Sequence, residues 1–66
     1  MKLKVDEKAD ALYLMIDNSE IIESEEITPG IILDFNKDNQ VVGVEILNLS
    51  KRSTPINFRS LQYEVV

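Results

Sequence analysis

The chain has 66 residues, no cysteine, no histidine and a formal net charge of −5. Its hydrophobic content of 44% excludes a disordered polymer, but a chain this short buries only about 60% of its unfolded surface on folding. The missing residue types exclude disulfides, histidine triads, thiol nucleophiles and zinc sites built on His or Cys, and the acidity argues against nucleic acid, where phosphate neutralisation dominates affinity.

Residues 2–6 alternate strictly and predict a first strand with Leu3 and Val5 inward. A polar connection comes next, in which Asp6 is placed to cap one helical turn. Residues 11–16 predict a second strand, apolar on both faces. Leu12, Leu14 and Ile16 share one face, Tyr13 and Met15 the other, which reads as a buried central strand or a subunit contact. The Tyr13 hydroxyl needs a partner in such a strand; Asp34, Glu45 or a subunit interface would supply one. Residues 17–20 read as a turn. A third strand over 21–28 is half exposed by Glu23, Glu25 and Glu26. Thr28-Pro29-Gly30-Ile31 then fits a type II turn, with Pro29 presetting φ and Gly30 supplying φ > 0.

The stretch 30–47 predicts a β-hairpin. Its tip places Asp38-Asn39 at the centre of a type I′ turn, with Lys37 facing Gln40. That register pairs Phe35 with Val42, Leu33 with Val44 and Ile31 with Ile46 on an apolar face. Asn36 with Val41, Asp34 with Gly43 and Ile32 with Glu45 form a mixed face. Beyond Leu47, Thr54-Pro55 reads as an N-cap and first position of a short helix over 56–61, and 62–66 as a last strand. The expected architecture is a single mainly β domain (β-rich α+β) over 1–66. It is an antiparallel meander of four to five strands with a short helical segment near the C-terminus. Residues 48–66 form an extension that packs on the sheet or on a second subunit.

Residues 9–13 (ADALY) and 42–47 (VGVEIL), within VDEKADALYLMI and TPGIILDFNKDNQVVGVEILNLS, carry a resemblance. They are similar to the small prokaryotic family known as domain of unknown function 2283, over nearly all of residues 3–50. The family pattern has Gly where this chain has Asn39 and Ala where it has Leu49, and it does not extend past Ser50. The resemblance implies a compact, mainly β domain without assigned activity. By association with small ribonuclease-like toxins it implies an antitoxin-like role, which is analogy rather than a site.

Among the residues themselves, Asp34 and Glu45 fall diagonally on one face of the hairpin, roughly 7 Å apart. Gly43 opposite Asp34 leaves a gap that a ligand or backbone can approach. With Asp10 these carboxylates form the candidate ligand or divalent-metal set, or an acid and base; a solvated polar face with a glycine that eases sheet twist is the favoured reading, because surface carboxylates are common. Glu20, Glu23, Glu25 and Glu26 form an acidic strand. It reads either as a partner surface mimicking nucleic acid or as edge charges that discourage strand pairing. Lys51 and Arg52, with Arg59, would meet an acidic partner or solvent. Residues 1–47 hold four basic and eleven acidic side chains, residues 48–66 three and one. Tyr13, Pro29, Gly30, Asp38, Asn39 and Gly43 are assigned structural roles.

The expectation is a non-enzymatic interaction module that binds a small protein partner and pairs with itself as a dimer, with no cofactor and no nucleic-acid or membrane partner. The alternative is a ligand- or metal-binding domain using Asp10, Asp34 and Glu45, and a hydrolase built on those acids comes last. No apolar run approaches the ~20 residues that span a bilayer, no signal-peptide pattern is present, and the expected compartment is the cytoplasm.

Overall fold

In the computed structural model, which describes residues 1–66, five strands form: β1 Lys2–Asp6, β2 Ala11–Met15, β3 Glu23–Thr28, β4 Ile31–Phe35 and β5 Val41–Ile46. They build one antiparallel sheet in the order β1-β2-β5-β4-β3. The mainly β class agrees with the sequence. The helical content is a single 3-10 turn, Leu49–Lys51, and no helix is long and apolar enough to cross a membrane.

The strand order departs from a simple meander. The third strand does not pair with the second; β2 pairs with β5, Leu14 opposite Val44, and β3 lies at the far edge beside β4. The apolar strand read as central is central, but its second neighbour comes from the other end of the chain. Residues 16–22 walk past the ends of β5 and β4. Ile16 N–H donates to the Val42 carbonyl at 2.8 Å and Ile22 N–H to the Phe35 carbonyl at 2.8 Å. Three strand spacings are about 14 Å, well within the reach of seven extended residues. This is why Ile21 and Ile22 lie outside β3, whose first residue is Glu23.

The β4–β5 pairing keeps the predicted pairs Ile31–Ile46, Ile32–Glu45, Leu33–Val44 and Asp34–Gly43. Phe35, expected opposite Val42, faces Val41 instead, and a bulge takes up the extra residue. The tip explains the shift. Asn36 N–H donates to the Gln40 carbonyl and Asn39 N–H to the Asn36 carbonyl, each at 3.0 Å. This is a three-residue loop with one left-handed residue, Asn39 at φ 59°, in place of the two-residue type I′ turn. The Asn36 side chain supports it, accepting from the Asp38 and Gln40 amides at 3.0 Å. At the other hairpin Gly30 has φ 86°, as a type II turn after Pro29 requires.

Alternation along the register separates two faces. Leu3, Leu14, Val44 and Leu33 form one row, and Val5, Leu12, Ile46 and Ile31 the next, on an apolar face. Lys4, Tyr13, Glu45, Ile32 and Glu26, with Lys2, Met15, Gly43, Asp34 and Ser24, form the mixed face. Ala11, Val42 and Leu49 are the buried apolar side chains.

The tail differs from expectation. No helix forms over 56–61 and no strand over 62–66. A six-residue helix bears the cost of nucleation with little length to offset it. The Asn57 side chain also accepts the Arg59 amide at 3.0 Å, a local bond that competes with helix. Phe58 is half-buried, while Leu61, Tyr63, Val65 and Val66 are exposed.

Candidate functional site

The mixed face holds the most ordered polar cluster. Asp34 sits on a central strand and is 8% exposed. The Tyr13 hydroxyl donates to Asp34 Oδ2 at 2.7 Å, and the Ser24 hydroxyl donates to Asp34 Oδ1 at 2.5 Å. Register produces both contacts: Ser24 lies opposite Asp34 on β3, and Tyr13 lies on β2, one row away and two strands across.

Gly43 makes the Tyr13 contact possible. A Cβ there would stand 2.8 Å from Tyr13 Cζ, 3.0 Å from Asp34 Oδ2 and closer still to the Tyr13 hydroxyl. The gap read beside Asp34 is therefore filled by the chain's own phenol. That hydrogen bond, then burial, then the charges of Asp34 and Glu45, push the Tyr13 pKa up to about 12. An acid–base catalyst is most effective with a pKa near the working pH, so this phenol is poorly placed for such work.

Asp10 lies elsewhere. It holds φ 56° at the end of the β1–β2 turn, a conformation Asp tolerates better than most residues. Its Oδ1 accepts the Ser50 amide at 2.9 Å, its Oδ2 the Ser50 hydroxyl at 2.7 Å and its carbonyl the Leu49 amide at 3.1 Å. The earlier part of that turn is capped by Asp6, which accepts the Ala9 amide at 3.0 Å. Asp10, Asp34 and Glu45 are thus not assembled into one ligand set, and no cluster of three metal-ligating side chains occurs. Glu45 is half-buried opposite Tyr13. Sequence reasoning misses Ser24 and Ser50. The signal for Ser24 is its place as the one non-acid in the run Glu23 to Glu26.

The acidic residues form a second surface. β3 is an edge strand with all six residues exposed. Glu25 lies opposite Leu33 and Glu26 opposite Ile32, so the carboxylates project to both faces. Glu20 stands in the crossing segment beside the β4–β5 tip, lining a hollow with Ile22, Lys37 and Asp38. Lys51 and Arg52 are exposed at the 3-10 turn, which is tied to Asp10 at the β1–β2 end. They do not extend the acidic edge. Arg59 pairs with Glu7 at 3.4 Å on the surface, where such pairs contribute little.

A family model described as protein of unknown function (DUF2283) matches residues 2–50. Comparison with curated proteins and with solved structures finds no match. The match covers all five strands and ends on the serine that Asp10 holds. The chain belongs to the DUF2283 family.

Proposed function

We propose that this DUF2283 protein is a non-enzymatic, antitoxin-like interaction module of the cytoplasm, which takes up a basic, extended segment of a small protein along β3. The observation that carries this reading is the edge itself. β3 pairs only with β4, every one of its residues is exposed, and Glu23, Glu25 and Glu26 line it. An uncovered edge offers free backbone donors and acceptors to an added strand, and the glutamates select for positive charge and speed the encounter. Of the three carboxylates that a catalytic or metal-binding reading needs, two are already engaged, Asp34 by Tyr13 and Ser24 and Asp10 by Ser50.

The test is affinity capture from native lysate with the tagged full chain and with a variant combining Glu20→Gln, Glu23→Gln, Glu25→Gln and Glu26→Gln. The wild type retains one stoichiometric basic protein and releases it in 1 M salt, where the Debye length falls to about 3 Å. The variant retains none. Equal capture by both proteins, or capture indifferent to salt, refutes the proposal.

A further inference from the structure

A sheet of one layer is unfinished. Domains ordinarily pack two layers around a core, and here three apolar side chains are buried. The accessible surface is 5533 Å² for a 7.5 kDa chain. A folded monomer of that mass exposes about 4,250 Å², so roughly 1,300 Å² is in excess. The radius of gyration, 12.9 Å, likewise exceeds the ~10.8 Å of a compact chain of this length. The extended tail accounts for part of the excess. It borders the same apolar face without covering it: Leu61 and Tyr63, 72% and 75% exposed, line an open groove of about 710 Å³ with Leu3, Leu12, Leu14 and Val44. A standard interface takes about 800 Å² from each partner, an amount this excess can supply.

We infer that the apolar face is the interface of a symmetric dimer, covered by the same face of a second copy. Its centre lies apart from the acidic edge proposed above, and its rim shares Glu23 and Glu25 with that edge. The rows through Leu14–Val44–Leu33 and Leu12–Ile46–Ile31 put no polar side chain at its centre, as suits an interface between identical subunits. Two packed sheets stand about 10 Å apart with their strands within about 30° of each other.

Charge selects the symmetry axis. An axis running across the strands would stack β3 on its own copy, glutamate over glutamate. An axis along the strands sets the β3 edge, with Glu23 and Glu25, over the partner's β1 edge. There Lys2 and Lys4 flank Leu3 and leave the strand on its mixed face, so their charges act on the facing glutamates around the strand edge rather than in direct pairs. A two-fold axis makes each contact twice, so both rims gain opposite charges and the centre stays apolar.

The experiment is sedimentation equilibrium of the untagged chain from micromolar to millimolar concentration. Isotope-filtered NMR on a mixed-label sample then reads contacts between chains. The expected species has twice the 7.5 kDa chain mass, with interchain contacts among the methyls of Leu14, Leu33 and Val44. Glu25→Lys, at an exposed site that leaves the sheet intact, weakens the dimer about tenfold by placing like charges together. Adding Lys4→Glu restores it. A chain that stays at 7.5 kDa at millimolar concentration overturns the inference, and the face then belongs to a different partner. Interchain contacts confined to the β1 or β3 edge overturn it as well. A Glu25→Lys dimer as tight as wild type overturns the axis.

Discussion

Gly43 is the position where one methyl group should do most harm. Gly43→Ala drives a Cβ into the Tyr13 hydroxyl and to 3.0 Å from Asp34 Oδ2. Either the phenol leaves its place over the sheet or the backbone of β5 moves. If the phenol leaves, Asp34, 8% exposed, loses one of its two side-chain donors, a loss of about 1.5–3 kcal/mol for a bond to a charged group. Crowding that is not relieved adds about 1–3 kcal/mol. The expected cost is therefore about 2.5–6 kcal/mol where both apply, against a total of roughly 3–10 kcal/mol for a domain of this length. The assay is urea denaturation followed by circular dichroism at one fixed protein concentration, because self-association shifts apparent stability. It is run on wild type, Gly43→Ala, Tyr13→Val and the double variant. Valine keeps the strand preference of β2 and removes every atom the new methyl would strike on that side chain. In the Tyr13→Val background only the 3.0 Å approach to Asp34 Oδ2 remains, and Gly43→Ala should cost less than in wild type by more than about 0.5 kcal/mol, the limit within which independent sites add. Equal costs in the two backgrounds would show that Gly43 serves sheet twist alone and that the overlap with Tyr13 is irrelevant.

Two further outcomes rest on the same geometry. In a Tyr63→Phe variant, where Tyr13 is the only phenol, the ultraviolet titration of the folded protein has its midpoint at about 12. The folded state holds this proton more tightly than the unfolded chain, whose value is 10.0. The stability it contributes is thus complete below pH 10.0 and is lost as pH rises through about 12; a folded-state midpoint at the unfolded value contradicts the Asp34 bond. Asp10→Ala removes both side-chain bonds to Ser50 and places alanine at φ 56°. It should cost about 1–2 kcal/mol and speed amide exchange at Leu49 and Ser50. Asp10→Asn, which tolerates the conformation and keeps an acceptor, should cost less, and equal effects of the two would refute the clamp.

The legible parts of this fold are those where neighbours in sequence are neighbours in space. The pairs Ile31–Ile46 and Leu33–Val44 arise from alternation about a local turn, and a slip of one residue would turn Asp34 toward the apolar side. Residues 17–20 look like a turn because they are polar. Nothing local distinguishes a turn to the adjacent strand from a seven-residue passage to the far edge. The partner of β2 is decided by long-range burial, and its apolar character on both faces signals only that it has two neighbours. The same limit applies to the polar cluster. That Tyr13 needs a partner is visible in the chain, with Asp34 among the choices, but Ser24 enters through the position of β3, which only the sheet order supplies. The helix expected at 56–61 rests on an N-cap and a proline, which mark where a helix can begin without giving it anything to pack on.

The Asp10–Ser50 pair has a consequence for where this domain ends. A boundary is usually drawn where the chain wanders off into solvent. Here one side chain in the first turn grips, through 40 intervening steps of sequence, both the amide and the hydroxyl of the residue four places after β5. Together with the Leu49 amide on the Asp10 carbonyl, these bonds form a clasp between the start of β2 and the turn that follows β5, at one end of an open sheet. The segment from Lys51 onward hangs outside that clasp. It adds no rung to the ladder, yet Arg59 reaches back to Glu7, and Leu61 and Tyr63 stand beside the apolar face.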